Sequence, residues 1–234
     1  MLMDIFSAFD PGTNLIFSSS LSPMFWAFSL ASASVLYSTL WTTPTRFILS
    51  LYLPVDIMSE QASRTNSKNI PALHSILVPL FFFIIIMNLS GLVPYVFSLT
   101  SHLIFTLAFG LPLWLALIIS SLQHAPLSFA AALLPGGAPA WLNPPLVLIE
   151  TLSALVRPVT LSFRLAANMT AGHIIMTLLG IYLMVAALNF NITSILLLVP
   201  LQTFYTVFEF GISLIQAYIF CLLLSLYSDD HPLH

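Results

Sequence analysis

Charge is what this chain has least of. Thirteen formal charges are spread over 234 residues, 6% of the chain, against 59% hydrophobic residues and a mean hydropathy of +1.03. A water-soluble domain carries about 25% charged residues. With so few, this chain cannot cover a water-facing surface and reads as an integral membrane protein. Its net charge of −3 provides no basic face for nucleic acid. The single cysteine, Cys221, lies inside the apolar run AYIFCLLLSLY. An internal disulfide is therefore excluded, and no Cys/His metal spacing exists. The stretch MLMDIFSAFDPGTN holds two aspartates and no Lys or Arg, unlike a secretory signal or a mitochondrial presequence, so insertion by the chain's own first span is expected. A nucleotide loop, a catalytic triad and a metal signature are lacking. So is the internal repeat of a secondary transporter. The sequence therefore predicts no active site for covalent chemistry, no metal and no cofactor.

What the chain has is long apolar runs. After an N-terminal segment (1–20) comes a first span at 21–41, long enough at 1.5 Å per residue to cross a core of about 30 Å. Residues 42–70 hold Arg46, Asp56, Glu60, Arg64 and Lys68, three of the five cations. The segment 44–70, with its RFILSLYLPVDIM, reads as an amphipathic helix on the membrane surface, on the cytoplasmic or matrix side by the positive-inside tendency. A helical hairpin over 71–122 follows. Its first run, 71–97, is bent or ended by Pro79 and the Gly91/Pro94 pair, and its second, 101–122, contains Pro112. The proline-rich stretch 123–143 reads as a loop. Two long runs, 144–179 and 192–227, flank the polar break LNFN. Each is too long for an upright span, so a strongly tilted antiparallel hairpin over 144–227 is expected. The fold class is all-α and polytopic: about five membrane-embedded helices plus the surface helix, in one membrane domain over 1–234.

Between Pro71 and Ser228 the only formal charges are Glu150, Arg157, Arg164 and Glu209. A charge inside a membrane costs about 2.5–3.5 kcal/mol on insertion scales and normally marks an ion or substrate path. Glu150, Arg157 and Arg164 are seven apart, and such residues drift only about 20° around a helix. They form one stripe, which Asn168 extends. Gln202, Glu209 and Gln216 repeat the pattern on the next helix. Two polar stripes on consecutive apolar helices predict a lined path or a partner-facing surface, although mutual neutralisation between helices is the plainer use of such charges. Small residues near Arg164 (Ala166, Ala167, Ala171, Gly172) allow close helix approach. Of the histidines, His173 is nine beyond Arg164 and so points about 180° away from its stripe. It is a helix-packing group or, with its ordinary pKa near 6.5, a proton relay. No helix pairs two histidines as haem ligation needs.

The segment LNPPLVLIETLSALVRPVTLSFRLAANMTAGH (142–173), above all RLAANMTAGH, closely resembles subunit a of the F-type ATP synthase, the proton-channel subunit of its membrane sector. LIQAYIFCLLLSLY, MNLSGLVPYVFSLTSHL and LPGGAPAWLNP are also similar to that family. The resemblance covers most of the chain and is weakest over the first 70 residues. It implies that the family's essential arginine is Arg164, with Asn168 as its polar neighbour. Glu150 and Arg157 match polar positions of the same helix, and Glu209 and Gln216 those of the last helix. His173 and Glu209 carry the histidine and the acid the other way round from bacterial relatives. The implied setting is the mitochondrial inner membrane, with the bacterial plasma membrane as the alternative. The implied partners are the c-ring, whose buried carboxylates pass Arg164, together with peripheral-stalk and other Fo subunits and lipid. The implied mechanism has two offset aqueous half-channels: Glu209, His173 and Gln216 line uptake, Glu150 lines the exit, and Gln202 and Arg157 support. Arg157 either pairs with Glu150 or reaches lipid head groups. The competing reading is a structural membrane subunit of a respiratory complex with no proton path of its own.

Overall fold

The structure is a computed structural model that describes residues 9, 27, 46–68, 70, 73–93, 96–133 and 143–229. The expected first span at 21–41 lies, apart from Ala27, outside the described residues. Within them the chain is all-helical: α1 (Arg46–Arg64), α2 (Leu73–Gly91), α3 (Leu103–His124), α4 (Pro126–Ala132), α5 (Asn143–Leu188) and α6 (Ile192–Asp229), with 3₁₀ turns at Asn66–Lys68 and Leu99–Ser101. Among the described residues, α2, α3, α5 and α6 are long and apolar enough to cross a membrane.

α2 stops at Gly91, where the sequence places its break. Two elements exceed their sequence limits. α5 runs on to Leu188, because 180–188 (GIYLMVAAL) contains no proline and a lone glycine costs a helix only about 1 kcal/mol. The proline-rich stretch after α3 contains α4, which has Pro126 at its first turn, where the missing N–H and fixed φ of proline are tolerated. The α5–α6 connection is a Schellman turn: Asn191 N–H donates to Ala186 O at 3.1 Å and Phe190 N–H to Ala187 O at 3.2 Å. Phe190 sits there at φ 51°, a left-handed conformation that costs a side chain with a Cβ roughly 1–2 kcal/mol.

The chain forms two compact units. Both are discontinuous, and both draw on α2, α5 and α6. The first contains 83–102 and 165–217. Its core is built on Ile84, Met87, Leu99, Leu165 and Met169. Within it, Asn88 Nδ2 donates to Ser213 O at 3.1 Å, joining α2 to α6. The second contains α1, the start of α2, all of 103–164 and the end of α6. Its core includes Met58, Leu77, Phe81, Leu161, Phe220 and Leu224. There α3 and α5 cross closely: Ser162 Oγ donates to Thr106 O at 3.3 Å and to Pro158 O at 2.9 Å, and a Cβ at Gly110 would lie 2.7 Å from that same oxygen. The end of α6 is tied down by Asp229 Oδ1, which accepts the Asn66 N–H at 2.7 Å. Cys221 is buried, with its Sγ 3.9 Å from Leu77 O.

Candidate functional site

In the first unit the polar side chains gather around Glu209 on α6. It is 2% exposed, deep among helices whose other side chains are mostly apolar. Gly172 of α5 lies against it: a Cβ at that position would overlap the carboxylate. Here glycine is required by close approach rather than by backbone conformation. The hydroxyl of Tyr205, one turn earlier on α6, interacts with the carboxylate. Oε1 is buried with no hydrogen-bond partner among the described residues. An unsatisfied buried acceptor costs about 1–3 kcal/mol, and such atoms are rare enough in native structures to require a reason. Two further polar groups of α6, Ser213 and Gln216, are buried beside it, one and two turns on.

His173 follows Gly172 directly. It is half-buried, its ring meets Phe9 edge-to-face with centroids 6.2 Å apart, and its Nε2 is buried with no hydrogen-bond partner among the described residues. Asn168 is exposed, and Gln202 lines a cavity on α6 with Thr203 and Thr206.

The second unit holds a different arrangement. Glu150 Oε1 and Arg157 form an ion pair at 3.4 Å, with about a third of each side chain exposed. This is one of the two roles the sequence left open for Arg157. The guanidinium also lies over the ring of Tyr227, 5.4 Å from its centroid, a favourable placement on the negative face of the ring. The group borders a cavity of about 190 Å³ whose lining includes Trp114, Ser121, Phe129, Glu150, Arg157 and Tyr227. Arg164 is the last residue of this unit. It is exposed and makes no hydrogen bond or ion pair with any described residue. Of the four small residues near it, Ala166 and Gly172 are buried while Ala167 and Ala171 are exposed.

The family model for the ATP synthase A chain matches residues 15–229. The chain belongs to that family. It is 37% identical over 99% of its length to ATP synthase subunit a of Albinaria caerulea, with all of that protein covered. It is 34% identical over 98% of its length to ATP synthase F(0) complex subunit a of Rhopalosiphum padi, again covering all of it. To the corresponding subunit of Sus scrofa it is 33% identical over 92% of its length. As a member of the ATP synthase A chain family, a membrane family of proton transport coupled to ATP synthesis whose matched members are mostly animal mitochondrial proteins, the chain has a c-ring and other Fo subunits as partners.

Within this family member, sequence reasoning missed Asn88, Tyr205, Gly172 as a contact of Glu209, Phe9 and Tyr227. Asn88 was detectable as the one amide in FFFIIIMNLSG, since a buried amide in an apolar run needs a partner. Tyr205 is four residues before Glu209, the spacing of facing residues on a helix. Nothing in the sequence marks Phe9 or Tyr227.

Proposed function

We propose that this chain, acting as one domain in the mitochondrial inner membrane, carries protons to and from the c-ring through two offset half-channels that Arg164 keeps separate. Glu209, His173 and Gln216 line the uptake path, Asn168 stands near Arg164, and Gln202 supports the path on α6. Glu150 lines the exit, with Arg157 as its ion-pair partner. The long α5–α6 hairpin lies strongly tilted against the ring, and peripheral-stalk subunits and lipid cover other faces.

The observation that supports this most is the state of Arg164. A guanidinium on a membrane helix, exposed and without an ion pair among the described residues, fits a carboxylate supplied by a partner. A permanent cation in low dielectric favours the ionised form of a carboxyl that faces it, so an arriving protonated acid releases its proton. The guanidinium itself cannot be deprotonated and so never relays a proton between the half-channels. A lysine, whose pKa shifts readily on burial, lacks that security. The driving force is about 2.3 kcal/mol per charge per 100 mV.

The test is ATP-driven proton pumping by complexes carrying Arg164→Ala or Arg164→Lys, measured together with the yield of intact complex. The expected result is normal assembly with pumping and synthesis lost in the alanine variant and severely reduced in the lysine variant. Failed assembly with normal pumping in whatever assembles supports a structural subunit instead.

A further inference from the structure

On α6, five polar residues follow one another at steps of four and three: Gln202, Thr206, Glu209, Ser213 and Gln216. Those steps keep neighbours on one face, with Cβ atoms about 5–6 Å apart. The sequence stripe of every seventh residue is thus a continuous polar seam. Exposure falls along it. Thr206 is exposed and Gln202 half-buried, whereas Glu209, Ser213 and Gln216 are buried.

The exposed end of the seam opens on a cavity of about 260 Å³ lined by Leu183, Val199, Gln202, Thr203 and Thr206. That is room for several waters at about 30 Å³ each. Thr203 Oγ1 donates to Val199 O at 2.9 Å and Thr206 Oγ1 to Thr203 O at 2.8 Å, so both hydroxyl oxygens retain acceptor capacity. The Gln202 amide makes no hydrogen bond with any described residue. An amide with two N–H donors and one carbonyl is poorly placed against hydrocarbon, and a second polar residue in the same helical turn doubles the mismatch. Both features suit water.

We infer that this notch is the water inlet of the uptake path, and that protons reach Glu209 along the Gln202–Thr206 face. The inference rests on the proposed place of Glu209 in that path. The transfer is a proton relay and nothing more. A hydrated proton in the notch is handed through water to a Glu209 carboxylate oxygen, an O–H bond forms there as one breaks in the donor water, and the neutral carboxyl later releases the proton toward the ring. Gln202 and Thr206 act as positioning residues that hold the water file.

The experiment uses the intact complex in vesicles and compares Gln202→Leu/Thr206→Val with Glu209→Gln and with Gln202→Asn. Passive proton flux in the double variant is expected to fall about tenfold, the factor of roughly one hydrogen-bonding step lost from the relay. The loss should grow as proton concentration on the uptake side falls, and Gln202→Asn should recover most of the flux. In parallel, Thr203→Cys should react with a membrane-impermeant thiol reagent from one side only, and the reaction should block flux. The native Cys221 is buried and serves as the unreactive internal reference. Unchanged flux in the double variant, or an unreactive Thr203→Cys, overturns the inlet while Glu209→Gln still blocks flux. Unchanged flux in Glu209→Gln overturns the uptake path itself.

Discussion

Glu209 and Glu150 are the two acids of the membrane-embedded chain, and the fold treats them in opposite ways. Glu209 is buried, contacts a tyrosine and a glycine, and has no cation against it among the described residues. Glu150 is half-exposed and held by Arg157, which is itself held by Tyr227. An acid without a fixed countercharge can gain and lose a proton as its surroundings change. An acid paired with a permanent cation sits in a locally neutral cluster. The same side chain is thus suited to proton uptake in one unit and to a stable polar wall in the other.

The largest effect that breaks this comparison is expected from Gly172→Val. Its side chain must overlap the Glu209 carboxylate, and overpacking of this kind costs typically 1–3 kcal/mol. ATP synthesis and proton flux should be lost with the complex still assembled. Gly172→Ala should show the same defect more weakly, as seen by rates in vesicles and complex yield on native gels.

A smaller effect sharpens the other side. Arg157→Leu leaves Glu150 without its partner, but a pair a third exposed is worth far less than a buried one, about 1 kcal/mol. The thermal dissociation midpoint of the complex should fall modestly, and Glu150→Gln added to Arg157→Leu should restore it. Restored stability without restored synthesis would assign Glu150 to the path; restoration of both would make the pair purely structural.

Much of this was legible in the sequence for a physical reason. Charges are so expensive in lipid that the four between Pro71 and Ser228 had to be purposeful, and spacing alone placed them on stripes. The helix ends at Gly91 and before LNFN were likewise readable, because glycine, proline and short polar runs stop helices. The contacts that distinguish the two acids were not. Gly172 against Glu209 and Tyr227 over Arg157 join residues 37 and 70 positions apart. Such contacts depend on how helices cross, which periodicity within one helix does not contain. Phe190 illustrates a second blind spot: a turn that usually calls for glycine is made by a phenylalanine 88% exposed, and no turn signature announces it.

The most direct test is side-specific labelling of Gln216→Cys and Glu150→Cys in intact, oriented membranes, using an impermeant thiol reagent and reading modification at each site. Reaction of the two positions from opposite sides, each from one side only, is the expected result for two half-channels that never meet within this chain. Reaction of both from the same side, or of either from both sides, contradicts it.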